Sequence, residues 1–425
     1  MKHILFVLLF LLLLGPALQA KFQWVGEPTL AGAYHVSEHP TFSAENLTSG
    51  KYQADLEKYL EDRIGFRTWL IQLRNQLSFS LLGVARSTDL ILGNNVLFQQ
   101  GPVNAYLGKD FMGEAEIQRR VRRMRIVQDD LAKRGIPFLF MMAPNKGRYQ
   151  PEDLPYWTLK QKQPLTNYEV FVREMKANQV NLLDFCQLFA RWKDTTAYAL
   201  FPSGGTHWSA YGSTLAADTL FKRIEKLGSF DLVDFRRVGP LAASPDDVRG
   251  TDGDLSGPLN LLFGYKHYPM AYPNIVFDSL KASQQRPNML VSGDSFGAAL
   301  MQFNPYFQTL FAPESRYWGV EGTVFRFAAE SSETGEKLAQ LDFRKEVESR
   351  QFIMLLITEH NLPYEKFINQ LYDLYHPLSE ADKARINQIK AELSSKAAWG
   401  EENDPAFISR VEQEAMAIFE KEQTK

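Results

Sequence analysis

The sequence predicts an α/β domain built on a mostly parallel sheet. Three observations carry this. The run 138–142 (Phe-Leu-Phe-Met-Met) is apolar without interruption, as a strand covered on both faces must be. Further strand candidates recur at 180–183, 288–291 and 352–357. Helical patterns fall between and after them, near 164–178, 208–227, 334–347 and 361–375. Strands that alternate with helices pair in parallel and are covered by helices on both faces.

The elements follow in order. Lys2 and His3 open the chain, residues 4–14 are wholly apolar, and Gly15-Pro16 precedes a small residue at Ala20. This is the layout of a secretory signal, and the apolar stretch is short for a span of about 20 residues. Residues 1–20 are therefore expected to be a signal peptide or signal anchor, which places the rest of the protein outside the cytoplasm. Residues 21–50, rich in Gly, Pro, Ser and Thr, read as an extended lead-in. Helical spacing starts at Lys51 with Leu56, Tyr59, Leu60 and Ile64, and returns over 68–82. Val96-Leu97-Phe98 follows the Gly93-Asn94-Asn95 turn as a short strand. Ile117, Val121, Met124 and Leu131 define a helix over 114–134, stopped by Gly135. The main domain spans 51–378. Residues 379–425 form a charged helical tail, with helices near 379–396 and 405–422 broken at Asp404-Pro405.

Composition narrows the function. The chain has 425 residues, 47 Lys+Arg against 50 Asp+Glu, and one cysteine, Cys186. A net charge of −3 offers no general field for nucleic acid. A lone Cys excludes an internal disulfide and any Cys-cluster zinc site. No metal or cofactor is expected.

The sharpest motif is Met289-Leu290-Val291-Ser292-Gly293-Asp294-Ser295-Phe296-Gly297, an apolar strand running into Gly-Asp-Ser and then a helix. Ligands bind at the C-terminal edge of a parallel sheet. A Ser at that edge begins a helix whose free N–H groups and dipole stabilise an oxyanion, with the N–H of Gly297 close by. The plainer reading is a turn with an Asp or Ser cap. The second motif is Phe201-Pro202-Ser203-Gly204-Gly205-Thr206-His207-Trp208, a glycine-paired loop that delivers a His just before a helix. There a His suits a general base, or simply caps and packs on Trp208. Ser295 and His207 together make a minimal nucleophile–base pair.

The combination resembles the AlgX/AlgJ-type alginate O-acetyltransferases of the SGNH superfamily. Other blocks are similar to that family's in the same order across about 51–378. These are Glu57 to Arg67, Ile91 to Phe98, Met142-Ala143-Pro144-Asn145-Lys146, and Thr251-Asp252-Gly253-Asp254-Leu255. The resemblance implies a flavodoxin-like SGNH three-layer α/β/α domain. It implies an exported enzyme that moves acetyl groups through Ser295, with His207 as base, to hydroxyls of an exopolysaccharide. A membrane-bound O-acyltransferase would be the acetyl donor, and the compartment would be the periplasm, with the protein soluble or tethered to the inner membrane. One departure stands out: where the family has an orienting Asp two residues before the His, this chain has Gly205. Asp184, Asp218, Asp254 and Glu359 are candidate substitutes, with Glu359 and Asp254 the first to check. Asn145 is a candidate side-chain oxyanion donor. The rival functions are an SGNH carbohydrate esterase with water as acceptor, and a catalytically degenerate glycan-binding subunit.

Other features have plainer readings. His35 and His39 have the i, i+4 spacing of metal ligands but lack a third and precede Pro40. Arg119, Arg120, Arg122, Arg123 and Arg125 read as a solvated helix face with acidic partners, or as a track for an anionic glycan. Tyr306, Phe307, Tyr317 and Trp318 line a sugar cleft or fill the core.

Overall fold

A computed structural model describes residues 2–32, 35–87, 89–327, 333–395 and 405–423. The main helices are α1 (Lys2–Phe22), α2 (Lys51–Glu61), α3 (Arg67–Leu82), α4 (Gln100–Leu107), α5 (Glu114–Lys133), α6 (Asn167–Ala177), α7 (Ala210–Gly228), α8 (Ser295–Phe303), α9 (Phe367–Tyr375), α10 (Glu380–Ser394) and α11 (Pro405–Gln423), with further short helices between them, one of them Phe185–Trp192. Among the described residues, no helix is long and apolar enough to cross a membrane. A Leu90–Gly93/Val96–Gln99 hairpin precedes α4.

The central sheet has seven strands: β1 (Phe138–Ala143), β2 (Leu182–Asp184), β3 (Met289–Gly293), β4 (Arg316–Gly319), β5 (Thr323–Arg326), β6 (Glu333–Lys337) and β7 (Phe352–Thr358). Their order is β6-β5-β4-β3-β7-β1-β2. The five strands from β4 to β2 pair in parallel, and β5 and β6 add an antiparallel edge. In the centre, Phe352 faces Met289 and Ile353 faces Phe138.

Strand periodicity divides the core into two layers. Leu139, Met141, Met289, Val291, Met354 and Leu356 point to one face, under Leu220 and Ile224 of α7 and Phe296 and Leu300 of α8. Phe138, Phe140, Met142, Leu290, Ile353 and Leu355 point to the other, under α5, α6 and α9. The result is the expected mostly parallel α/β/α arrangement.

Two expectations need correction. Residues 334–347 are not one helix: they form β6, a short 3-10 turn and a helix at Phe343–Glu348. Gly335 takes a left-handed φ of +76°, and the segment gains backbone partners on the open edge of β5. Arg119, Arg120 and Arg123 of α5 are engaged inside the protein rather than presented as a solvated face. Arg119 and Arg123 are buried, and both reach Glu420 of α11; Arg119 and Arg120 also bind Glu116. The tail helix therefore packs on α5 through ion pairs. The aromatic candidates belong to the core, since Tyr306, Phe307, Tyr317 and Trp318 are all buried.

Candidate active site

Gly293 ends β3, and a Cβ there would stand 2.6 Å from Leu356 O of the neighbouring strand. Asp294 follows in extended conformation as the N-cap of α8, its Oδ1 accepting from Phe296 N at 3.1 Å. Its other oxygen accepts from Thr358 N (2.7 Å), Thr358 Oγ1 (2.5 Å) and Asn361 Nδ2 (2.8 Å). Asp294 thus locks the strand-to-helix turn to the end of β7. Ser295, the first residue of α8, is left exposed above the sheet edge.

His207 reaches Ser295 from the loop before α7. Its Nε2 lies 2.8 Å from Ser295 Oγ, and its Nδ1 lies 2.6 Å from Asp254 Oδ2. With the ring proton on Nδ1, the imidazole donates to Asp254 and accepts from the Ser295 hydroxyl. The ring rests against Phe296, with centroids 4.8 Å apart. Asp254 is held in turn by Thr206 N, which donates to its Oδ1 at 2.9 Å.

The paired glycines explain how Asp254 gets there. Gly204 O accepts from Leu255 N (3.0 Å) and Ser256 N (2.9 Å), so the 250–256 segment docks directly on the histidine loop. A Cβ on Gly205 would stand 2.4 Å from Thr251 O and 3.0 Å from Asp252 O; one on Gly204 would stand 2.5 Å from the His267 ring. Side chains there would push the two segments apart. The position that holds the family's Asp is thus filled here by the backbone that carries Asp254. Gly205→Asp is accordingly expected to give no gain in ester turnover and to destabilise the fold by about 1–3 kcal/mol, because the side chain overpacks the backbone of 251–252. Kinetics and a melting curve of the variant check this, and a gain in turnover would contradict it.

Lys146 fixes the same loop from below. Its side chain is buried, and Nζ donates to Leu97 O (2.7 Å), Pro202 O (2.6 Å), Gly205 O (2.7 Å) and Ser203 O (3.3 Å). Burial pushes its pKa down to about 7 against the attraction of Asp254 and Asp153. Among the described residues no carboxylate bonds it. Four carbonyls converge on one ammonium, which, together with the Leu97 N–Ser203 O bond of 2.8 Å, ties the hairpin strand to the histidine loop.

The remaining candidates sit elsewhere. The Glu359 carboxylate is fully buried and taken by Arg148, with Nε to Oε2 at 2.8 Å and Nη2 to Oε1 at 2.6 Å, so it does not orient His207. Asn145 is not a free oxyanion donor: its Nδ2 donates to Pro102 O and Glu359, and its Oδ1 caps Gly147 N. The N–H of Gly297 is also engaged, by Asp294 O at 3.1 Å. Gly297 is a packing residue, since a Cβ would stand 2.5 Å from the Tyr317 ring. Asp184 caps its own helix and Asp218 pairs with Lys222. Ser295 N itself has no partner among the described residues and stands at the positive end of α8. Also among the described residues, no group of His, Cys, Asp and Glu could hold a metal.

Two residues escaped sequence reasoning. His360, behind the site, places Nδ1 3.0 Å from Thr358 Oγ1, and burial lowers its pKa. Its signal was only its place just past a strand end. Asp252 is fully buried next to the segment that carries Asp254, its carboxylate oxygens have no hydrogen-bond partner among the described residues, and burial pushes its carboxyl up to about 7. An acid whose pKa is raised on folding adds stability that is present at low pH and lost as pH rises through the folded value. The chain should therefore lose stability between about pH 4 and 7, and Asp252→Asn should make that slope shallower, by up to about 4 kcal/mol at the upper end, while Glu365, also pushed up to about 7 by burial, keeps its share. Denaturant midpoints across that range check it, and a variant whose slope equals that of the wild type would refute it.

Residues 104–314 match the family model described as SGNH hydrolase-like domain, acetyltransferase AlgX. No curated protein matches the chain. Among solved structures, the O-acetyltransferase domain of Pseudomonas putida AlgJ is similar at 18% identity and TM-score 0.44, over 67% of this chain and 99% of that one. Pseudomonas aeruginosa AlgX is similar at 15% and 0.45, over 68% and 69%. Bacillus cereus PatB1 with a sulfonyl adduct is similar at 12% and 0.39, over 64% and 97%. Residues 104–314 are thus similar to the SGNH hydrolase-like domain of AlgX acetyltransferases, which is the part of the chain that carries Ser295, His207 and Asp254.

Proposed function

We propose that this protein is an exported O-acetyltransferase that moves acetyl groups through Ser295 to hydroxyls of an exopolysaccharide. The observation that carries this reading is the relay Ser295 Oγ–His207 Nε2 at 2.8 Å and His207 Nδ1–Asp254 Oδ2 at 2.6 Å. In the first half-reaction the Ser295 oxygen attacks the carbonyl carbon of an acetyl ester or thioester, and His207 takes the hydroxyl proton. Asp254 keeps the ring in the right tautomer and stabilises the imidazolium that forms. The tetrahedral oxyanion forms beside Ser295 N and the α8 dipole. Collapse expels the donor's alcohol or thiol, which takes the proton from His207, and leaves acetyl-Ser295. A sugar hydroxyl then gives its proton to His207 and attacks the acetyl carbon; its collapse restores the Ser295 hydroxyl.

A membrane-bound O-acyltransferase fits as the acetyl donor, and the basic, apolar start of the chain fits export to the periplasm, free or tethered at the inner membrane. The same triad would hydrolyse the acetyl-enzyme if water were the acceptor. Mixing the protein with an acetyl ester in the presence and absence of uronic-acid oligosaccharides separates the two. Transfer predicts acetylated oligosaccharide and suppressed acetate release; an esterase releases acetate at the same rate in both.

A further inference from the structure

We propose that α3 lies on a lipid bilayer, with its leucine face in the headgroup region of an anionic leaflet. The helix is inverted relative to a normal surface helix, which buries its apolar stripe. Its buried residues are polar. Asn75 Nδ2 donates to Leu259 O at 2.9 Å, and Arg86 Nε donates to Ser78 Oγ at 2.6 Å. Leu70, Leu73, Leu77, Leu81 and Leu82 face outward at 51, 41, 49, 74 and 69% exposure. A contiguous apolar surface of this kind marks a contact site.

The charges favour lipid as the occupant. Residues 63–88 hold Arg63, Arg67, Arg74 and Arg86 and no Asp or Glu, in a chain with 50 acidic residues. Among the described residues, two carboxylates reach the segment, both at the head of the helix: Asp62 pairs with Arg67, and Glu27 accepts from Phe66 N and Thr68. Along the leucines the stretch supplies none, which an anionic leaflet requires and a protein partner does not. Trp69, partly exposed at the head of the helix, completes the make-up of an interfacial helix: leucines on one side, basic residues beside them, an aromatic at the border. Helix α1, which carries further exposed apolar residues, touches the start of α3. Gly65 N, just before α3, donates to Pro16 O of α1 at 3.1 Å, and Ile4, Phe6 and Phe10 of α1 are exposed. The inference rests on α3 and its neighbours and is independent of the acetyl-transfer reading.

The test uses the full chain carrying Leu77→Cys labelled with an environment-sensitive fluorophore; the native Cys186 is buried. A second protein carries the label at the exposed Lys222→Cys, on the far helix α7. With phosphatidylglycerol vesicles, emission at position 77 is expected to shift to the blue and rise several-fold, with a weaker response to phosphatidylcholine, while position 222 stays unchanged. Adding Leu73→Gln and Leu81→Gln should abolish the response at 77 and leave turnover of a soluble acetyl ester unchanged. A label at 77 that stays in water while the protein is vesicle-bound through α1 would overturn the proposal. So would a blue shift that survives the two Gln substitutions. A shift driven by protein concentration alone would overturn it too, assigning the face to a second copy.

Discussion

Ser295→Ala is expected to reduce acetyl turnover by about 10⁶-fold, to the level left by binding and the oxyanion site alone. The Ser295 oxygen has a base within hydrogen-bond reach and stands exposed at the sheet edge, whereas Thr358, which also meets a histidine, is buried. The substitution should leave the fold intact, because Ser295 is exposed and its hydroxyl bonds His207 alone, so a stability change within about 0.5 kcal/mol is anticipated. The turn itself is held by Asp294, not by Ser295. Two measurements check the prediction together. The wild-type protein incubated with an acetyl ester should gain one acetyl group on the peptide containing Ser295, and the variant none. Acetylation elsewhere at the same rate, or a variant within tenfold of wild type, would remove Ser295 from the chemistry.

Asp254→Asn is expected to cost about 10⁴-fold. The carboxylate accepts the Nδ1 proton of His207, which leaves Nε2 free to accept from Ser295. An Asn amide in the same place donates instead, moving the ring proton to Nε2, where it can no longer take the Ser295 proton. Combining Asp254→Asn with Gly205→Asp should not restore turnover, since the backbone of 251–252 occupies the space a side chain at 205 would need. Rescue in the double variant would mean that the family's usual orienter position works here after all. Glu359→Gln, by contrast, should act on folding through the buried Arg148 pair and leave the pH profile of the reaction in place.

The strands that carry the site were legible because they are buried on both faces. β1, β3 and β7 are continuous apolar runs, and Ser295 and His207 could be read from strand-to-loop context. The edge strands were not: β6 is Glu-Thr-Gly-Glu-Lys, largely exposed, and its strand character comes from pairing with β5 rather than from its own residues. Asp254 was legible only as one of several carboxylates. It meets His207 across 47 positions of chain, and what brings it there is the fit of two glycines against a backbone. Glu359 looked better placed, just past a strand, but the buried guanidinium of Arg148 claims it first. Such a contest between two charged neighbours is decided by packing, which periodicity does not report. The leucines of α3 were read as an ordinary amphipathic stretch; their outward direction needed the polar contacts of Asn75 and Ser78 to be seen.

The position of β3 has a consequence in time. It lies between β4 and β7, so the strand that presents Ser295 gains its second neighbour only when residues 352–358 exist. A chain made from its N-terminus already carries His207 and Asp254 when the nucleophile is added, and the shelf under that nucleophile is closed later still. Thr358 and Asn361, which lock the Asp294 turn, come last of all. Long-range parallel pairing of this kind is slow and waits for the whole domain. The proposed acyl chemistry would thereby be reserved for the finished molecule, since a nascent or truncated chain holds His207 and Asp254 without a supported Ser295.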